Sequence, residues 1–290
     1  MEDYVIVTDS SCDLPDKLAK ELELTVLPLS FHLNGQDYQN YLDEREMPIR
    51  EFYSHIRAGE TCTTSAVNVD SYKSVMEPLL QQGKDILDIA FSSGLSATYS
   101  SAKIACEELA EQYPERKIFA VDTLAASLGQ GLLISLAVQK KREGKSIEEV
   151  RAWVEENRLH LCHWFTVDDL NHLKRGGRIS GATALLGTMM NIKPVMHVDD
   201  EGHLIPMGKV RGRRASLDAL ADHMEATAVD PASQTVFISH GDCQEDAEYL
   251  AGEIRRRMGV EKFVIGNCGP VVGTHSGPGT MALFFVGTKR

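Results

Sequence analysis

Ser92-Ser93-Gly94-Leu95-Ser96 follows a short apolar run, Ile86 to Phe91, and leads into a helical pattern with Ala102, Ala105 and Leu109 on one face. Backbone N–H groups at a helix start, backed by the helix dipole, favour an anion. The hydroxyls of Ser92, Ser93, Ser96 and Thr98 add donors that reorient freely, and Gly94 lets a ligand approach the backbone. Helix capping accounts for any one of these serines. Four hydroxyl residues crowded round one glycine after a buried strand point as strongly to an anion cradle. A nucleophilic Ser93 is the weaker reading, because the stretch lacks the G-x-S-x-G frame.

Other stretches carry chemistry-bearing residues. Thr61-Cys62-Thr63-Thr64-Ser65 reads as a hydroxyl-rich loop; placed beside Ser93, the two would grip one carboxylate. Gly269 to Thr280 is a glycine- and proline-shaped rigid turn whose only titratable side chain is His275, suited to sensing or donating to an anion. Arg175, Arg178, Arg211, Arg213 and Arg214 stand out in an acidic chain. Solvated surface charge explains them; a basic patch that steers a phosphate or an acidic partner is the sharper alternative. Asp9, Asp13 and Asp122 fall at strand ends, where α/β proteins keep functional groups, and Asp13 also fits a helix N-cap. No Walker A, no strand-linked G-x-G-x-x-G and no H-E-x-x-H motif occurs. In a strand over His160 to His163, His160 and Cys162 share one face and His163 takes the other, which argues against a shared metal.

The elements that must position these groups alternate strand and helix through the first ~155 residues, which predicts a parallel α/β layer domain. Tyr4 to Thr8 and Lys117 to Thr123 are strands, Asn34-Gly35 marks a hairpin, and Ser146 with Glu149 has capping-box spacing. A helix after Val121-Asp122-Thr123 has an apolar stripe at Leu128, Leu132, Ser135 and Leu136. The second half mixes hairpins and helices, with a turn at Glu201-Gly202 and a small-residue helix over Gly181 to Ile192. It predicts a separate α+β domain, so the expected division is 1–157 and 158–290. The 290 residues, 43% apolar and 25% charged, allow a sizeable core. A net charge of −12 argues against nucleic acid or an anionic membrane as the main partner. The N-terminus lacks signal-peptide character, no apolar run reaches membrane-helix length, and the six scattered cysteines lack any C-x-x-C pair. Reduced thiols and a cytoplasmic location are the expectation.

Seven stretches together resemble the DegV family along nearly the whole chain. They are Val7 to Pro15, Thr64-Ser65, Phe91 to Ala102, Val121 to Gly131, Val167 to Ser180, Asn191 to Gly202 and Gly269 to Thr280. Where the family carries a TSQPS-like stretch this chain reads Thr64-Ser65-Ala66-Val67-Asn68, and Ala97 replaces a family glycine. The resemblance implies two α/β domains with one long-chain fatty acid in the cleft between them. It implies a bacterial lipid-binding subunit that presents the carboxylate to a separate ATP-dependent fatty acid kinase and carries the acyl phosphate onward. It also implies no catalytic residue, metal or cofactor of its own, with transient membrane contact for lipid exchange. By motif match Thr64, Ser65, Ser93, Gly94 and His275 are the carboxylate-site residues, and Arg178 and Arg211 lie near the phosphate or the partner.

The chemistry is coherent. Burying a sixteen-carbon tail at ~0.8 kcal/mol per CH₂ gains roughly 12 kcal/mol before association costs. The buried carboxylate must be hydrogen-bonded, and hydroxyls and N–H groups do this without a permanent ion pair. The segment over Gly181 to Ile192, with two methionines, is a candidate tunnel wall. His275 and the arginines are then expected to meet the added phosphate more than the resting carboxylate. The competing reading is a serine hydrolase or acyltransferase using Ser93, His275 and Asp9 or Asp122; a third is an α/β protein that binds some other small anion.

Overall fold

The computed structural model of the protein describes residues 4–179 and 191–290. In the first half the elements are β1 (Tyr4–Asp9), α1 (Asp16–Glu21), β2 (Thr25–Leu27), β3 (Ser30–Leu33), β4 (Gln36–Gln39), α2 (Ile49–Arg57) and β5 (Cys62–Ser65). They continue with α3 (Val69–Gln81), β6 (Asp85–Ala90), α4 (Thr98–Gln112), β7 (Ile118–Asp122), α5 (Leu128–Arg142) and α6 (Ile147–Asn157). The second half holds β8 (Leu161–Thr166), α7 (Asn171–Gly176), β9 (Ile192–Val198), β10 (Leu204–Arg211), α8 (Arg213–Thr227) and β11 (Thr235–His240). The last elements are α9 (Gln244–Met258), β12 (Lys262–Asn267), α10 (Pro270–Ser276) and β13 (Met281–Val286).

The apolar strands of the first half form a four-stranded parallel sheet in the order β2-β1-β6-β7. Ile86, Leu87 and Ile89 are fully buried, as expected of a parallel sheet covered on both faces. The Asn34-Gly35 turn forms with φ of 52° and 80°, the positive pair that a tight hairpin requires. The stretch expected as a loop at Thr61–Ser65 is largely strand. β5 pairs antiparallel with β3, placing Thr64 opposite Phe31 and Ser65 opposite Ser30 in a three-stranded sheet β4-β3-β5. β5 fills the edge of β3 opposite its hairpin partner, and threonine tolerates strand geometry well.

The second half builds a six-stranded mixed sheet, β10-β9-β8-β13-β11-β12. The hairpin expected at Glu201-Gly202 is β9–β10, with Gly202 at φ 80°. The glycine- and proline-rich stretch expected as a rigid turn contains a helix instead. Pro270 opens α10, where a missing N–H costs nothing, and the glycines lie at its N-cap (Gly269), within it (Gly273) and just after it. α5 buries Leu128 and Leu132 of the expected stripe, leaves Ser135 and Leu136 half-buried, and buries a broader face beside them. Leu128, Leu132, Leu133, Ile134, Ala137 and Val138 are buried, because α5 lies against β8, β11 and β13 as well as α6. One core cluster therefore joins Ile89 of the parallel sheet, Leu132 of α5 and Phe165, Phe237 and Phe284 of the mixed sheet. The expected small-residue helix falls largely on residues 181–190, outside the described residues. Among the described residues no helix is long and apolar enough to cross a membrane, and no group of metal-ligating side chains forms.

Candidate functional site

A cavity of about 230 Å³ lies between the two large sheets and α10. Its wall is mostly apolar, including Leu29, Phe91, Phe165, Val271 and Phe284. Its floor is one face of the mixed sheet, where Ser239, Ala282 and Phe165 form one cross-strand row and Phe237, Phe284 and His163 the next. At one end polar groups gather: Thr64 and Ser65 from β5, Ser96 from the loop before α4, His275 from α10 and Arg178 just after α7. A second, polar recess of about 370 Å³ adjoins that end. It shares Thr64, Arg178 and His275 with the first and adds Arg175, His172 and Thr63.

The link between the two spaces is a hydrogen bond of 2.8 Å between Thr64 Oγ1 and His275 Nε2. His275 Nδ1 is buried and has no partner. It packs against Gly176, where an added Cβ would sit 2.2 Å from the nitrogen. Burial, and then the Arg178 charge, hold His275 down to about 4, so the ring is neutral near pH 7. Leaving the bare lone pair on Nδ1 puts the proton on Nε2, which then donates to Thr64. The Thr64 hydroxyl hydrogen is thereby free to point at a ligand. Arg178 is held by the carbonyls of Leu95 and Gly176, so its guanidinium is tied to both the α4 loop and α7.

The serine loop is positioned from behind. Asp9 is fully buried and accepts from Phe91 N at 2.8 Å, Ser11 N at 3.1 Å and Gln130 Nε2 at 3.2 Å. Burial raises its carboxyl, against these bonds. Asp122 accepts from Ser93 N at 3.1 Å and Leu124 N at 3.0 Å. The carbonyl of Ser92 takes the N–H groups of both Leu95 and Ser96, turning the chain inward there. Leu95, Ser96 and Ala97 therefore line the cavity, whereas Ser93 and Gly94 do not. Ser93 is exposed, and Gly94 packs against the β9–β10 turn, where an added Cβ would meet Glu201 O at 2.8 Å. The hydroxyl brought to the cavity is Ser96, which the sequence reading had not singled out above its neighbours. Ala97 has φ −73° and ψ −1°, an ordinary conformation that does not call for glycine.

Of the arginines, Arg178 and Arg175 reach the polar recess. Arg211 is exposed at the end of β10 and lines neither space, and Arg213 is paired with Asp246 and Asp168. Asp13 is no N-cap, because α1 is preceded by Pro15. Its left-handed backbone (φ 52°) turns the carboxylate inward to accept from Ser127 Oγ at 2.6 Å and Gly269 N at 3.0 Å, and burial pushes it up to about 7. No catalytic triad is assembled among the described residues: no hydrogen bond joins Ser93 to a histidine, and His275 is engaged with Thr64. Beyond the shared core, hydrogen bonds also join the halves of the chain at two seams. Ser92 Oγ donates to Gly202 O at 3.0 Å on one side, and Tyr53 Oη donates to Cys268 O at 2.9 Å on the other. The Arg290 guanidinium donates to carbonyls of Leu124, Arg158, Leu161 and Asp199, tying the first seam.

Parallel and mixed sheets enclosing an apolar cavity with a hydroxyl-lined mouth define an α/β architecture built around an internal cavity. The chain belongs to the DegV family: the model described as "Uncharacterised protein, DegV family" matches residues 3–288. The DegV domain-containing protein CPE0026 of Clostridium perfringens is 47% identical over 290 residues, covering 100% of this chain and 99% of that one. The solved structure of a fatty-acid-binding DegV family protein from Thermus thermophilus is 31% identical with a TM-score of 0.86, covering 98% and 99% of the two chains. DegV, a fatty acid binding protein from Bacillus subtilis, is 26% identical with a TM-score of 0.84, covering 99% and 100%.

Proposed function

We propose that the protein binds a long-chain fatty acid in the cleft between residues 1–157 and 158–290 and presents its carboxylate to a separate ATP-dependent kinase. The observation that carries this reading is the Thr64–His275 pair at the junction of an apolar cavity and a cationic polar recess. The tail occupies the apolar space. The carboxylate takes hydrogen bonds from Thr64, Ser65 and Ser96, and the N-terminus of α4 favours its charge. Arg178 and Arg175 face the adjoining recess, where a phosphoryl group would be added and held. In that step a carboxylate oxygen attacks the terminal phosphorus of ATP held by the partner, and ADP leaves. The fatty acids bound by the Thermus thermophilus and Bacillus subtilis relatives support the ligand class, and the family resemblance supports the kinase partner.

Native mass spectrometry followed by lipid extraction tests the binding. A near one-to-one complex with a long-chain fatty acid is expected, and a protein that neither copurifies with nor takes up such an acid would overturn the reading. The presenting role is tested with His275→Ala. Acyl phosphate formation by the partner kinase should fall far more than fatty acid affinity; equal losses in both would remove the phosphate-side role given to His275.

A further inference from the structure

Residues 30–65 fold around a small core of their own. Phe31 and Leu33 of β3 cluster with Ile49, Phe52, Tyr53 and Ile56 of α2, and no residue of either large sheet belongs to that cluster. What this unit grips is α10. An added Cβ on Gly273 would sit 2.6 Å from Tyr53 Oη and 3.0 Å from Phe52 Cε1, so both rings press on the helix backbone. Tyr53 Oη donates to Cys268 O at 2.9 Å just before α10, Cys62 Sγ lies 3.0 Å from Thr274 Oγ1, and Thr64 meets His275. Another face of α10 carries Val271, Val272, His275 and Ser276, which line the cavity. On that side the helix borders the cavity instead of a packed layer. Its links to β12 and β13 contain Gly269, Gly277 and Gly279, the last two at φ 81° and 76°.

One end of the small unit is pinned. Ser10 Oγ accepts from Leu29 N at 2.9 Å and from Asn40 Nδ2 at 3.0 Å, which holds the base of the β3–β4 hairpin. α2 starts beside this point, where Ile49 and Asn40 line one recess, and runs ~12 Å towards the mouth, where Ile56 lines the polar recess. There Arg57 pairs with the Asp242 carboxylate and donates from Nη2 to Asp242 O at 3.1 Å, at the turn after β11. We propose that residues 30–65 and α10 form one lid, which swings about the Ser10 anchor to admit and release the ligand, with the Arg57–Asp242 pair as its latch. The lid carries Thr64, Ser65 and His275 away from Ser96, Arg178 and the floor strands, while the core shared by the two large sheets stays closed. Val271 belongs to the cluster of Phe91 and Leu95 and keeps the closed state dominant. The latch is made in the closed protein with or without ligand, so breaking it speeds entry and exit alike. The ligand used to test it rests on the fatty acid reading above.

Stopped-flow mixing with a fluorescent octadecanoic acid analogue tests the latch. In Arg57→Ala the association and dissociation rates should both rise about 1.5- to 5-fold, with Kd unchanged. Asp242→Ala should do the same, the double variant should go no further, and high salt should bring the native protein to the same rates. Unchanged rates in both single variants, or a shift in Kd, overturn the latch. Hydrogen exchange tests the lid with no ligand present. Amides of α2, β3, β5 and α10 should exchange through one opening that is more frequent than that of β1, β6 and β13, and Arg57→Ala should raise it by the same factor. Exchange of α10 apart from β3 and β5, or of all these amides only together with β1, overturns the lid. If the analogue does not bind, the fatty acid reading fails and the exchange pattern still decides the lid.

Discussion

Gly176→Ala perturbs the head-group end through His275, without replacing any residue assigned to the ligand. The new Cβ would lie 2.2 Å from His275 Nδ1, against 3.4 Å for an ordinary contact, so the ring must retreat by about 1.2 Å. That movement displaces His275 Nε2 from its 2.8 Å hydrogen-bond geometry with Thr64. Thr64 loses the partner that aims its hydroxyl. The net worth of one such bond is about 0.5–1.5 kcal/mol, which corresponds to fatty acid binding weakened roughly 2- to 13-fold. Overpacking against α10 adds a loss of folding stability of about 1–3 kcal/mol. The assay is fatty acid displacement in a double-mutant cycle with Thr64→Val, with thermal melts run alongside. If the effect runs through the Thr64–His275 bond, Gly176→Ala should weaken affinity by no more than ~0.5 kcal/mol in the Thr64→Val background. Additive losses, or no loss in the single variant, would refute the reasoning.

Three further outcomes are expected. Ser96→Ala should weaken fatty acid binding by roughly 2- to 13-fold while Ser93→Ala leaves it unchanged; the reverse order in the displacement assay would return Ser93 to the head-group site. Arg178→Ala should move the NMR titration midpoint of His275 upward from about 4, and burial should keep it below the ordinary histidine value. Because the folded-state value is depressed, the stability tied to neutral His275 is present above the ordinary histidine range and is lost as pH falls through about 4. Asp88→Val should raise stability, since both carboxyl oxygens of Asp88 are buried without a partner. Burial first, then the Asp9 charge, holds that carboxyl well above its usual range. A raised acid costs stability above the ordinary carboxylate range, so the gain should be larger near pH 8 than near pH 5 and on the order of 1–3 kcal/mol in urea unfolding.

Much of the architecture was legible because it rests on local pattern. The apolar runs of β1 and β6, the Asn34-Gly35 and Glu201-Gly202 turns and the Ser146–Glu149 capping box each state their structure within a few residues. What escaped depends on neighbours distant in the chain. Thr61–Ser65 reads as a loop until β3 offers it an edge, and α10 is hidden because glycine and proline suppress the helical signal. The identity of the head-group serine depends on a turn. The Ser92 carbonyl folds the loop so that Ser93 faces solvent and Ser96 faces the cavity, and no spacing rule separates the two. Arg178 and Arg211 likewise read alike, yet only Arg178 follows a helix that ends at the site.

The placement of α5 bears on how the chain can be cut and how a ligand can leave. The helix lies before residue 157 yet packs on β8, β11 and β13. A fragment ending at residue 157 would carry Leu128, Leu132 and Leu133 without their cover and should aggregate. Proteolysis or truncation at that point therefore should not yield two independently folded pieces. Amides of β1, β6 and β13 should exchange with solvent water in one common opening reaction, because the sheets that hold them share a core. A lipid bound as proposed would then escape by loosening the mouth, since hinging the halves apart would expose that core.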